Sequence, residues 1–180
     1  MKIHQLSIAG AFEITLDRIS DTRGFFARCY CDAEFSAAGL NTDWPQMNVS
    51  MNTSSGTLRG LHFQREPAAE IKIVRCLRGR ATDVIVDLRA DSPTFGQHCA
   101  VELSEDALNA VYIPKGLAHG FQTTAPETLL QYMHSTTYAP GHEGGVNPCD
   151  PGLGITWPLP VAEMSDRDRT LPKLKDVAPL

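Results

Sequence analysis

The sequence predicts a mostly β fold, a double-stranded β-helix (jelly-roll) barrel with a few short helices, and three observations carry that prediction. Apolar residues alternate or come in short bursts, the period of strands rather than of helices. Turn signals break these bursts at close intervals, at Ser54-Ser55-Gly56, Glu66-Pro67, Arg78-Gly79 and Ser92-Pro93. So many short antiparallel strands need two packed sheets or closure, and a jelly-roll barrel meets that need. At 180 residues the chain supplies one full-sized core, so a single domain over 1–180 is expected.

Taken in order, residues 2–8 and 12–16 read as opening strands and 24–30 as an aromatic-rich third. Over 32–40 (DAEFSAAGL) the period turns helical: Asp32 can cap, Phe35 and Ala38 share a side, and Gly39 can end the helix. Strand composition returns over 46–52, 57–64, 71–77, 82–88, 99–103, 110–113, 120–124 and 129–136. From Pro140 onward the chain is rich in Pro, Gly and Asp, which predicts a structured wrap rather than a strand, closing on a short helix near 165–169.

The formal net charge of -5 leaves no basic footprint for nucleic acid. An acidic chain that binds a nucleotide diphosphate must concentrate its Arg and Lys locally. No apolar run has the length of a signal peptide or membrane span, so the cytoplasm is the expected location and no membrane partner is expected. The five cysteines, Cys29, Cys31, Cys76, Cys99 and Cys149, are odd in number and lack CxxC spacing. They are expected to be buried free thiols in a reducing compartment. Cys29 and Cys31 would share one strand face, too constrained for a disulfide with each other.

Strand 82–88 (TDVIVDL) places Val84, Val86 and Leu88 on one face and Asp83, Ile85 and Asp87 on the other. The two aspartates are either a solvated outer face or partners for an internal His or Arg. His62, flanked by Leu61 and Phe63 in LRGLHFQ, is either a hydrogen-bonded core histidine or, with Gln64, part of a polar lumen. Lys72, between Ile71 and Ile73, must snorkel out or meet an anion inside. Tyr132 and His134 share a strand face, and His119 follows a turn at Gly116. His, Lys and Tyr on neighbouring strands suit proton removal next to a carbonyl, as base, enolate-holding cation and opposed acid. Cupin-type barrels hold metals through His-x-His. Here the strand reads His62-Phe63-Gln64, so neither a metal nor another cofactor is expected.

QMNVS (46–50), GTLRGLHFQ (56–64), Lys72, DVIVDLR (83–89), SPTFG (92–96), IPKGLAHGF (113–121), Tyr132, Tyr138, Asp150-Pro151, ITWP (155–158) and Ser165 to Asp168 follow one another in order. In this combination the chain resembles the dTDP-4-dehydrorhamnose 3,5-epimerase family of cupin-fold sugar epimerases, from about Asp21 to Asp168. The resemblance implies that His62 takes the C3 and C5 protons of a nucleotide-linked 4-keto sugar, with Asp168 orienting it. It makes Tyr132 the acid on the other face, Lys72 the stabiliser of the enolate at O4, and Tyr138 a gate or stacking partner. Arg23, Gln46, Asn48, Arg59, His119, Glu143 and Arg167 would bind the sugar nucleotide, dTDP-linked first of all, though Arg23 and Arg167 also read as solvated surface charges. It further implies a homodimer whose exchanged N-terminal strands complete each pocket.

Strict alternation puts Arg59 and His62 on opposite faces, so a bulge near Gly60 is required. Two positions depart from the family pattern. Arg28 stands where the family usually has Glu, and would reach a phosphate or sit on a surface edge strand. Asn147-Pro148-Cys149-Asp150 replaces a Trp-Asn-Asp run at the pocket's far wall. A mono-epimerase, an epimerase for a CDP- or GDP-linked sugar, a non-catalytic sugar-nucleotide binder and, more weakly, a metal-dependent cupin oxygenase are the alternatives.

Overall fold

A computed structural model of the protein covers residues 1–180. Thirteen strands follow in the order β1 (Lys2–Gln5), β2 (Phe12–Thr15), β3 (Arg18–Asp21), β4 (Gly24–Ala27), β5 (Gln46–Asn52), β6 (Leu58–Gln64), β7 (Lys72–Arg78), β8 (Arg80–Asp87), β9 (His98–Ser104), β10 (Ala110–Ile113), β11 (Leu117–Thr123), β12 (Thr128–His134) and β13 (Glu143–Gly145). Helix α1 (Asp32–Ala37) precedes β5, and the one-turn helix α2 (Asp166–Arg169) lies near the C-terminus. A six-stranded sheet, β1-β2-β10-β7-β12-β5, faces a five-stranded sheet, β13-β6-β11-β8-β9, while β3 and β4 form a separate hairpin. Every strand pair is antiparallel, the two-sheet jelly-roll expected from so many short strands.

Period-2 alternation sorts the apolar side chains into three layers. Between the sheets, Val74, Cys76 and Leu130 pack against Ile85, Leu103 and Phe121 in one cluster of 13 buried residues. Outside the six-stranded sheet, Ile73, Tyr112 and Met133 are covered by Phe35 of α1. Outside the five-stranded sheet, Leu61, Phe63, Val84, Val86 and Leu88 are covered by Leu153, Trp157 and Val177 of the C-terminal wrap. The faces of strand 82–88 therefore fall as the alternation predicts.

Asp83 and Asp87 are both buried, which settles the choice between a wet face and internal partners in favour of the second. Asp83 meets His119, and Asp87 accepts from Arg89, Ser92 and Thr94. Burial pushes the Asp87 carboxyl up, but these hydrogen bonds outweigh it and hold the group far below the ordinary carboxyl value of 3.8. A carboxyl depressed on folding contributes stability that is present above its ordinary value and is lost as pH falls toward the folded one. Asp87→Asn is therefore expected to cost about 3 kcal/mol near neutrality, in the range for breaking a buried charged pair. In thermal unfolding followed against pH, the gap between parent and variant should close below about pH 4. A gap that stays constant into acid would remove Asp87 from this role.

Several local expectations are corrected. Asp32 does not cap α1: Cys31 holds the cap position without a side-chain bond, and Asp32 lies inside the first turn. There its charge suits the positive end of the helix. Gly39 does end the helix, at φ +70°, with Leu40 N–H donating to Phe35 O and Gly39 N–H to Ser36 O. Strand β4 stops at Ala27 because its partner β3 runs out at Arg18, so Cys29 and Cys31 lie beyond it. All five cysteines are free, but only Cys76 is buried, and burial pushes its thiol up to about 11. The β3 strand and the short β13 strand, set within the predicted wrap, had no alternating apolar signal. The pairing of β13 is supplied by the main chain of β6. No helix is long and apolar enough to cross a membrane.

Candidate active site

A cavity of about 300 Å³ opens between the sheets, lined from one side by Asn48, Ser50, Glu70, Lys72, Tyr132 and His134. Arg59, His62, Gln64, His119 and Phe121 line it from the other, with Tyr138 and Glu143 also on its wall.

The bulge required near Gly60 is present. Strand β11 pairs His119 with His62 but Phe121 with Arg59, so β6 carries one extra residue between them. Gly60 takes φ +115°, and a Cβ there would lie 2.6 Å from Gly120 Cα. Only a glycine allows this approach, and the shift it creates lets Arg59 and His62 line one cavity.

His62 is half-buried and its Nε2 lies 2.7 Å from Asp168 Oδ1. Asp168 comes from α2, whose Ser165 caps the turn by accepting from Asp168 N–H at 3.0 Å. The other carboxylate oxygen accepts from Gly60 N–H at 3.1 Å. Burial pushes the Asp168 carboxyl up, but the bonds from His62 and Gly60 outweigh it and keep it below its ordinary value. An ionised Asp168 assigns the His62 proton to Nε2 and leaves Nδ1 with a free lone pair.

Tyr132, on β12, stands opposite Asn48 of β5 in the register. Desolvation pushes its phenol above the ordinary value, and the Asp83 carboxylate adds to the rise, so it remains a proton donor at neutral pH. Its ring meets His119 edge-on at 6.2 Å. His119 Nε2 is itself 2.6 Å from Asp83 Oδ2. Lys72 does not snorkel out: it is buried, with Nζ 3.0 Å from Glu70 Oε1. The sequence left open whether Lys72 reaches solvent or an internal anion; the anion is Glu70, which lies in an undistinguished stretch before the strand.

The remaining expected residues divide into three groups. Asn48, Arg59, Tyr138 and Glu143 line the cavity with His119. Arg59 Nε donates to Asn52 Oδ1 at 2.7 Å, while Tyr138 OH donates to Glu143, which also pairs with Arg167. Burial pushes the Glu143 carboxyl up, but Arg167 and Tyr138 together hold it below its ordinary value. Gln46 stands one step behind, accepting from Tyr138 N–H at 2.9 Å, and Arg167 lines an adjoining hollow beyond His62 and Asp168. Arg23 and Arg28 are not brought to the cavity within one chain. Arg23 pairs with Asp21 at the hairpin tip, and Arg28 donates to Glu34 of α1 at 2.7 Å. The physical reason is that the β3–β4 hairpin, which carries Arg23 in its turn and leads directly into Arg28, belongs to neither barrel sheet. Cys149 is exposed and Asp150 folds back on Gly152 and Leu174, so the divergent 147–150 run does not line the cavity. No three His, Cys, Asp or Glu side chains converge as a metal ion would require, since His62, His119 and His134 each pair with a separate carboxylate.

Fold and site together define an isomerase built on a cupin-type barrel. The profile of the dTDP-4-dehydrorhamnose 3,5-epimerase family matches residues 5–176, and the chain belongs to that family. It is 42% identical over 178 residues to the dTDP-4-dehydrorhamnose 3,5-epimerase of Mycolicibacterium smegmatis, covering 98% of this chain and 87% of the relative. It is 39% identical to the dTDP-4-dehydrorhamnose 3-epimerase of Streptomyces niveus, covering 94% and 82%. Among solved structures, the 3,5-epimerase of Legionella pneumophila in complex with dTDP-4-keto-L-rhamnose superposes with a TM-score of 0.92 at 34% identity, covering 98% and 94%.

Proposed function

We propose that the protein inverts C3 and C5 of dTDP-4-dehydro-6-deoxy-D-glucose, giving dTDP-4-dehydro-L-rhamnose. The observation that carries this reading is the His62–Asp168 pair, free at Nδ1, in one cavity with the protonated Tyr132. His62 takes the proton next to the C4 carbonyl, and the bonding pair moves toward O4 to give an enolate. Asp168 stabilises the imidazolium, and the Lys72 ammonium holds the oxyanion. Tyr132 returns a proton to the carbon from the opposite face, and solvent restores both groups before the second carbon is turned. Each half-reaction moves one proton off and one on, so no redox cofactor enters. Arg59, Arg167, Asn48, His119, Tyr138 and Glu143 are assigned to the sugar nucleotide, with Arg forks suited to the diphosphate.

The chain is proposed to act as one domain and as a homodimer. Ile19, Phe25 and Phe26 expose 71%, 53% and 69% of their surface on the β3–β4 hairpin, and Met47, Val49 and Met51 are likewise exposed on the edge strand β5. A second copy's hairpin seated on β5 would cover both patches and carry Arg23 and Arg28 to the pocket. Phe26→Asp is expected to give monomers in sedimentation velocity, with a raised KM for the sugar nucleotide. A dimeric variant with parent KM would reject the arrangement. A cytoplasmic location, with five free thiols kept reduced, belongs to the same reading.

The test is proton NMR of dTDP-4-dehydro-6-deoxy-D-glucose with the protein in D₂O. Deuterium at both C3 and C5, with conversion to the rhamno configuration, is the expected result. The similarity to the S. niveus 3-epimerase favours a second reading, epimerisation at C3 alone, which exchange at that single carbon would establish. No exchange at either carbon would reject both.

A further inference from the structure

Glu70 lies just ahead of β7 with only 8% of its side chain exposed, a position where a carboxylate must be paired. Both of its oxygens are paired. Oε1 is 3.0 Å from Lys72 Nζ, and Oε2 is 2.8 Å from His134 Nδ1. With Nδ1 donating to Glu70, His134 turns the lone pair of Nε2 toward Asn48 Nδ2 at 3.3 Å. Its ring also stacks on Tyr132, at 6.0 Å and 14°. Asn48, His134, Glu70 and Lys72 thus form one hydrogen-bonded run along the pocket wall, across the adjacent strands β5, β12 and β7. Burial pushes the Glu70 carboxyl up, but His134 and Lys72 outweigh it and keep the group ionised.

We propose that Glu70, locked in place by His134, is a positioning residue that holds the Lys72 ammonium charged and aimed at the oxygen that becomes negative in the reaction. The inference rests on the reading of Lys72 as the partner of O4. An ammonium 11% exposed, deprived of its anion, favours the neutral amine, which cannot hold an enolate. The remaining ionisable groups on the cavity walls are His62, His119 and Arg59 on the facing sheet, Tyr132 beside His134, and Tyr138 and Glu143. Glu143 is the one carboxylate among them and is held by Tyr138 and Arg167, so none replaces Glu70 as counter-ion to Lys72.

The experiment is the pH dependence of kcat and KM for the full chain and for Glu70→Gln, with dTDP affinity measured by calorimetry. The variant should keep its dTDP affinity and KM. Its kcat should fall by roughly 10- to 100-fold, less than the roughly 10²- to 10³-fold that follows loss of an oxyanion donor itself. The alkaline limb of kcat should move to lower pH by roughly one to three units, as expected when a buried ion loses its counter-charge. Glu70→Asp should restore the limb, and adding Lys72→Arg to Glu70→Gln should abolish the shift, because guanidinium stays charged. His134→Phe keeps a ring over Tyr132 but no longer donates to Glu70, and should lower kcat. It serves as the test if Glu70→Gln does not fold. A Glu70→Gln profile parallel to the parent's at any height, or parent kcat in His134→Phe, would overturn the positioning role. Absence of exchange in the parent would overturn the epimerase reading instead, so the two failures are distinct.

Discussion

His62→Ala is expected to abolish deuterium incorporation at both C3 and C5 while leaving dTDP binding near that of the parent. The two signals should vanish together because one base serves both carbons: His62 is the cavity histidine whose partner, Asp168, is anchored by a backbone N–H. Positioned general bases are worth roughly 10²- to 10⁴-fold in rate, enough to take exchange out of an ordinary NMR time course. Nucleotide affinity should survive because the assigned diphosphate contacts, Arg59 and Arg167, have partners of their own in Asn52 and Glu143. His119 is a useful contrast. It too is paired with a buried aspartate, but both members are almost fully enclosed, whereas His62 keeps 31% of its side chain open toward the cavity. Exchange at the parent rate in His62→Ala would end the proposed mechanism and move attention to His119.

Tyr132→Phe should separate the two halves of the reaction. Removing the phenol leaves His62, Asp168 and Lys72 in place, so the first proton still leaves and can return from the same side. The expected signature in D₂O is washout of substrate protons without inversion. Inverted product should fall by roughly 10²- to 10⁴-fold, the range for a lost general acid. Phe keeps the ring that His119 meets edge-on and His134 stacks against, so the cavity wall should stand. The hydroxyl is raised by desolvation and by Asp83, and nothing else on that wall is a neutral oxygen acid of comparable burial. Inverted product at the parent rate would take Tyr132 out of the acid role.

Much of this arrangement is written locally. The strands over Gln46–Asn52 and Ala110–Ile113 match their predicted limits, and the faces of strand 82–88 fall as alternation requires. The bulge at Gly60 follows from two residues, Arg59 and His62, that had to share a face. Less legible were elements whose existence depends on a distant partner. Strand β13 is three residues, Glu-Gly-Gly, with no apolar period, and pairs only because β6 presents a free edge. The cap of α1 was misplaced by one residue, because Asp32 and Cys31 differ in backbone conformation rather than in any composition signal.

By itself, the sequence determined the residue types of the site and the face on which each strand presents them, because a period of two is a property of neighbouring residues. It required either solvent or an internal anion for Lys72, and internal partners or water for Asp83 and Asp87, since an unpaired buried charge is too costly to keep. Only the tertiary structure decided who those partners are. Asp168 meets His62 across 106 residues, Glu70 meets His134 across 64, and His119 meets Asp83 across 36. It also left Arg23 in the turn of a hairpin outside both sheets and Arg28 just past that hairpin, away from the cavity of their own chain. The physical reason is the same in each case: strand order and sheet closure are set by packing of the whole barrel, and no local pattern encodes which strands become neighbours.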